Sequence, residues 1–421
     1  MTKWNYPVSN TLIHRTLCLS LGAILLAYPL SVSAAEVNSK VVSEKKVVSS
    51  ATLTSSISVN GYKGSVLAVG ENHFLTFKEI DNSWNGIDPD YRPDQAVTAV
   101  KKVLPQKEYE SLFPYRLGSP EWYKAAKGKE YYKEDQVDYF SYDNLIAAVT
   151  EVSNIKLKIS TRKGSTSAQE IQRLDKEARI ETLISRSSDF NSAENMKKEI
   201  DTVIVDFGTF LKEGFKKDRK RELAAFLANL AHETGGGWAT APGGELKWGL
   251  FWNENIAGRT GVNKDAFVDP ATSELYPGVK DKRYYGRGPI MMSWNFNYGL
   301  FSSIIYGDMN VLLSKPEIIS ADGKIGFMTA ILFWMTPQAP KPSAHDVIIN
   351  KWKPSKEDIA KGLSQPGFGI TIMVLNGLET NLGETEGSSV KRRAGHYRDI
   401  TSRMGVDITG EKIDTLGMKP F

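Results

Sequence analysis

A chain of 421 residues, 41% hydrophobic and 24% charged, has room for one large domain with additions or for two. Its composition is ordinary for a soluble globular protein, and a formal charge of +4 is too mild to steer it to nucleic acid or an anionic membrane. Cys18 is the single cysteine, and it lies in a segment expected to be removed. The mature chain is therefore expected to hold neither a disulfide nor a cysteine metal site.

The predicted elements begin with a secretory signal over residues 1–34. Lys3 and Arg15 give a basic start, "CLSLGAILLAYPL" is the apolar core, and "SVSAAE" offers small residues for cleavage after Ala34 or Ala35. The apolar run is short for a bilayer span, which argues for a cleaved signal over an anchor. A secreted or periplasmic location follows, with no membrane attachment after removal. Residues 35–99 fit either a small β-rich module or a tether, with strand-like alternation in "GSVLAVGENHFLTF".

From about residue 100 the pattern turns helical, as in "PQKEYESLF" and "YDNLIAAVTEV". The charged stretch 156–199 has weak apolar periodicity and reads as an inserted helical excursion or a long surface segment. "DRKRELAAFLANLAHET" is the strongest helix, with Asp218 as N-cap and Leu223, Phe226, Leu227 and Leu230 on one stripe. Residues 235–298 are rich in Gly, Pro, Asn and aromatics and predict long loops. Helical patterns return at 324–335 and 389–406, and 409–421 reads as a tail. The fold class is mainly α.

Glu233 ends the strongest helix, three residues after Leu230, so it projects near the apolar stripe. Partial desolvation and the negative end of the helix dipole both favour a protonated carboxyl, which a general acid for glycoside cleavage requires. A solvated glutamate at a fraying helix end would read the same way. A zinc helix needs a second histidine four residues after His232, and that position is Gly236. The other mature histidines, His73, His345 and His396, are scattered, so no metal is expected. No Gly-x-Ser-x-Gly nucleophile elbow occurs. Inversion at a glycoside needs a second carboxylate, about 6.5–9.5 Å from the first, to activate water. Glu245 and Glu254 are the candidates, and the polar, aromatic setting "FWNENIAG" favours Glu254.

Five blocks, "AFLANLAHETGGGWATAP", "RYYGRGPIMMSWNFNYG", "FWMTPQAPKPSAHDVI", "PGFGITIMVLNGLE" and "KRRAGHYRDITSRMGV", together resemble glycoside hydrolase family 19, the plant-type chitinases. They occur in the family's order between about residues 104 and 406. The resemblance implies a two-lobed, lysozyme-like helical domain over 100–408 with a long substrate cleft. It also implies inverting hydrolysis of β-1,4 links between N-acetylglucosamine units, without cofactor. By motif position Glu233 matches the general acid, Glu254 the general base, and Ser293 the serine that helps hold the attacking water. Asn297, Gln338, Lys341, Asn376 and Arg393 match residues that line the cleft, and His232 and Trp248 complete the expected substrate contacts. Trp248 and Trp294 serve a core as readily as a sugar, and Arg287 either holds the base ionised or braces loops.

The chain also departs from the family. Met291 stands where a glutamine is expected and Phe296 where a tyrosine is, and the Glu233 to Glu254 spacing is one residue short of the plant pattern. The expected substrate is chitin or its oligosaccharides. Peptidoglycan, which also holds β-1,4-linked N-acetylglucosamine, is the alternative, and an inactive glycan-binding protein is the third reading.

Overall fold

The structure, a computed structural model, describes residues 57–59, 62–64 and 67–421, apart from 166 and 365–366. The expected signal over 1–34 lies outside the described residues.

Helices form where apolar residues recur at helical spacing. Helix Lys216–Glu233 is buried at every position from Glu222 to Ala231. It starts earlier than expected: Asp218 is its third residue, and the Oδ2 of Asp218 accepts from the Phe215 N–H at 2.8 Å. Helix Ser389–Met404 lies against it, and so do the short helices Ala344–Ile348 and Phe368–Leu375. Helix Gly323–Met335 is apolar almost all round and buried accordingly. It packs on helix Tyr142–Ser153. The fold is mainly α, as the periodicity implies.

The charged stretch 156–199 corrects that expectation locally, because it is sheet and not helix. The described strands are β1 (Ile57–Val59), β2 (Tyr62–Gly64), β3 (Asn72–Phe74), β4 (Ile155–Arg162), β5 (Gln169–Asp175), β6 (Ile180–Arg186) and β7 (Ile200–Asp206). The first two pair with each other, and the other five form one antiparallel sheet in the order β3-β6-β5-β4-β7. Period-two alternation is present in "IKLKIST", but both faces of β4 are covered, so its lysines are inside. Leu157 and Ile159 join the main core.

On the opposite face Lys156 donates to the carbonyls of Trp84 (2.6 Å) and Gly86 (2.8 Å). Lys158 lies 3.4 Å from Glu181 and 4.3 Å from the Trp84 ring centroid. Burial pulls both ammonium groups below their usual range, and each keeps a partner, as buried charges must. Trp84 ends helix Phe77–Trp84, which helix Pro93–Val103 follows. From residue 67 onward the region expected to be β-rich or a tether is thus one short strand and mostly helix.

The residues after Met404 pack back on the body: Glu411 meets Arg221 at 3.0 Å, and Thr415 and Met418 are buried.

One buried polar cluster ties the helices together. The Nδ1 of His345 lies 2.5 Å from Glu222 and its Nε2 2.7 Å from Glu213. Glu222 also accepts from Trp334 Nε1 at 3.2 Å. Burial alone would lower the imidazole pKa, but the two carboxylates outweigh it and raise it from 6.5 to about 10. A folded value above the unfolded one gives stability that is complete below pH 6.5 and is lost as pH rises through about 10. Thermal denaturation of the protein is expected to show a midpoint that falls over this range. His345→Gln should be less stable at neutral pH and should flatten the slope; an unchanged slope would remove His345 as its source.

Candidate active site

Glu233 is the last residue of its helix, and the loop that follows is fastened to the helix end. The Thr234 carbonyl accepts from the N–H groups of Phe251 (3.0 Å) and Trp252 (2.9 Å), and its hydroxyl accepts from Leu250 N–H at 2.9 Å. The glycines make this approach possible. A Cβ on Gly236 would stand 2.5 Å from the Phe251 ring, and one on Gly237 would stand 2.3 Å from the Glu245 carbonyl. The residue after Glu233 is therefore bonded to the residue two before Glu254.

Glu254 sits on a small ladder. The Gly288 N–H donates to Asn253 O and the Asn255 N–H to Gly286 O, both at 2.8 Å, and Arg287 pairs in turn with Met292. Ser293 follows directly on the same ladder. The Glu254 carboxylate accepts from the Tyr285 hydroxyl at 3.0 Å. Two cations stand just beyond hydrogen-bond reach, Arg259 at 3.9 Å and Arg287 at 4.0 Å. The Arg287 guanidinium lies 3.7 Å over the Tyr285 ring and donates to the Tyr298 hydroxyl at 2.9 Å. Its Nε is buried without a partner among the described residues. Of the two roles open to Arg287, the geometry combines them: it braces loops and it faces Glu254.

Around the other expected residues runs a hydrogen-bond chain. Ser293 Oγ donates to Met291 O at 3.1 Å, and Asn297 Nδ2 to Ser293 O at 2.8 Å. Gln338 Nε2 reaches Asn297 Oδ1 at 3.5 Å. Gln338 and Lys341 exchange backbone bonds, and Lys341 Nζ donates to Val374 O at 3.3 Å, beside the Asn376 loop.

Arg393 is fully buried and holds the surroundings of Glu233 together. Its Nη2 lies 2.5 Å from Glu233 and 2.8 Å from Glu379, its Nε 2.9 Å from Glu379, and its Nη1 3.0 Å from Asn229. Asn376 Nδ2 donates to Glu379 at 3.0 Å. Burial opposes the charge on Arg393, but Glu233 and Glu379 prevail and raise its pKa. Burial likewise pushes the Glu379 carboxyl up, and Arg393 prevails by holding it below the usual carboxylate range. The setting of Glu233 is thus an ion pair, in addition to the apolar stripe and helix end that were expected.

One expected contact falls elsewhere. Trp248 is only 2% exposed, stacked on Tyr115 at 4.2 Å and packed against Phe251, so it offers no ring face to a sugar. Its neighbour Trp238 is 47% exposed and packs on Trp248 at 5.0 Å. His232 is half-buried: burial first, then Arg393, Arg392 and His396, lower its pKa far enough to keep the ring neutral, and its buried Nδ1 has no hydrogen-bond partner among the described residues. Tyr285, Glu379 and Asn229 were not singled out from sequence. Each is one polar residue in a helix or loop, and only the folded path brings it to a carboxylate or guanidinium. Removing the charge of Arg393 leaves two carboxylates facing each other, so Arg393→Met is expected to cost roughly 3–5 kcal/mol in urea denaturation. Arg393→Lys should recover only part, because an ammonium lacks the guanidinium fork.

The family model described as chitinase class I matches residues 181–415. Chitinase 9 of Oryza sativa subsp. japonica is 42% identical over 221 residues, which is 52% of this chain and 62% of that protein. Endochitinase A2 of Pisum sativum is 42% identical over 217 residues, 51% of this chain and 62% of that protein. A protein of Hevea brasiliensis named inactive chitinase-like protein 1 is 39% identical over 216 residues, 51% of this chain and 64% of that protein. The chain thus spans about three fifths of the length of these relatives. With more than half of its residues inside the family match, the chain belongs to the chitinase class I family, glycoside hydrolase family 19.

Proposed function

We propose that the protein is an exported, endo-acting chitinase that cleaves β-1,4 links between N-acetylglucosamine units with inversion. The observation that carries the reading is the tie between the two carboxylates. Glu233 and Glu254 come from different stretches, and the Thr234 bonds to 250–252 hold those stretches together. Relatives named chitinase and endochitinase support the substrate class. The secretory pattern of residues 1–34 supports export.

In this reading Glu233 donates its proton to the leaving glycosidic oxygen while Glu254 takes a proton from water on the opposite face of the sugar. The water adds to the anomeric carbon, so the new reducing end is the α-anomer. Ser293 Oγ donates to Met291 O and keeps lone pairs free to accept from that water. Tyr285 orients the Glu254 carboxylate from its other side. Arg393 is shared between Glu233 and Glu379, at 2.5 Å and 2.8 Å from its Nη2. The arginine then stabilises the Glu233 anion that proton donation leaves behind.

The first experiment is hydrolysis of a chitin hexasaccharide followed by anomer-resolved NMR. Rapid α-anomer formation is expected from the wild type, with turnover lost in Glu233→Gln and severely reduced in Glu254→Gln. Substantial activity in a folded Glu233→Gln protein would sink the assignment, and a larger loss in Glu245→Gln than in Glu254→Gln would move the base. Solubilised sacculi without chitin cleavage would favour peptidoglycan, and binding without turnover an inactive protein. A second prediction concerns pH. Arg393 holds the Glu379 carboxyl below the usual carboxylate range, so its contribution to stability is present above the unfolded value and lost as pH falls through the folded one. Glu379→Gln should therefore be less stable than the wild type in urea denaturation at neutral pH, and the difference should shrink in acid.

A further inference from the structure

At the end of helix Lys216–Glu233 far from Glu233, two local rules of helix structure fail together. The N-cap position, which favours Ser, Thr, Asp or Asn, is held by Phe215, whose side chain is 78% exposed. The first turn, which favours acids, opens with Lys216 and Lys217. Residues 212–220 hold five cations, Lys212, Lys216, Lys217, Arg219 and Lys220, against two acids. Both acids are already engaged. Glu213 lies 2.7 Å from His345 and 3.5 Å from Lys351, and Asp218 accepts from the Phe215 N–H at 2.8 Å. None of the five cations forms an ion pair among the described residues. Arg219 and Lys220 donate to carbonyls instead, those of Gly214 (3.2 Å) and Met404 (2.6 Å).

Proteins depart from such rules mainly where function requires it. The formal charge of +4 over the whole chain gives no reason to expect an anionic partner, but this local concentration does. The side chains narrow the partner further. Residues 212–220 contain no Asn, Gln, Ser or Thr, so they offer cations and one ring but no amide or hydroxyl to read the edges of bases or sugars. An anionic bilayer suits this pair of features: cations meet the headgroups, and an apolar ring enters the interface.

We propose that Phe215, Lys212, Lys216 and Lys217 form a docking surface for an anionic lipid bilayer, on which the protein rests reversibly. The side chains make the contact, and two of the four, Lys212 and Phe215, precede the helix. At 1.5 Å per residue the helix places Glu233 about 26 Å from the docked end, so lipid and a ligand at the candidate site do not compete. The docking surface is independent of the activity proposed above.

The test is flotation of the full mature chain with vesicles of phosphatidylcholine, with and without phosphatidylglycerol. Binding is expected only where phosphatidylglycerol is present, and it should fade as added salt screens the charges. Replacing Lys216 and Lys217 together by Gln should weaken the partition coefficient by roughly 25-fold, about fivefold for each cation. Phe215→Ser should weaken it by about tenfold. Serine is a better N-cap than phenylalanine, and losing two cations relieves the helix dipole, so both variants should melt no lower than the wild type. No binding to the mixed vesicles, equal binding to the neutral ones, or full binding by both variants would overturn the docking surface. Unchanged vesicle binding by Phe215→Ser, with a DNA duplex bound by the wild type as tightly as the vesicles, would reveal a general polyanion site and overturn the lipid assignment.

Discussion

A guanidinium with no exposed surface must be matched by charge, and the shape of the site around Glu233 follows from how Arg393 is matched. Its partners come from two places outside its own helix Ser389–Met404: Asn229 and Glu233 on helix Lys216–Glu233, and Glu379 in the loop after helix Phe368–Leu375. The link from Arg393 to Glu233 closes 160 positions of chain. Leaving any of these groups unpaired inside the protein would cost more than the contact itself contributes, so the helices must meet in this register. Glu233 is placed by the same requirement. A side chain at a helix end would otherwise sample several rotamers in solvent.

The base side is organised differently. Glu254 has no buried partner of opposite charge in direct contact, only the Tyr285 hydroxyl and two guanidinium groups at about ion-pair distance. Backbone bonds on both sides fix its position, while its carboxylate stays partly exposed. The contrast fits the division of labour proposed above. The acid needs a counter-charge ready for the anion it becomes, and the base needs an open oxygen for water.

Sequence reasoning located the helix of Glu233, the glycine turn and the loop of Glu254 because each is a local pattern: periodicity, a helix end, a polar and aromatic loop. The fold class followed from the same patterns. The sheet over 155–206 was missed because lysine is read as a surface residue, whereas Lys156 and Lys158 are inside and satisfied by Trp84, Gly86 and Glu181. Trp248 erred in the opposite way. An aromatic close to a catalytic motif suggests sugar stacking, but Tyr115, 133 positions earlier, covers its face. Both errors concern partners far away in sequence, which no window of neighbouring residues contains.

The same sheet has a consequence for the site. Its β5 residue Arg173 donates through Nε to the Ile304 carbonyl at 2.7 Å, and β6 packs on the same helix, Asn295–Tyr306. That helix carries Asn297, which bonds Ser293 in the segment just before it. Tyr276 fits against Gly299 of the helix, where a Cβ would clash at 2.3 Å. With no disulfide available to a chain whose one cysteine lies at position 18, the helix is held by packing and buried hydrogen bonds alone. The charged stretch is therefore part of the support of the candidate site's wall. Its lysines are buried because the strand that bears them is enclosed, one face by the body that carries the site and the other by helix Phe77–Trp84.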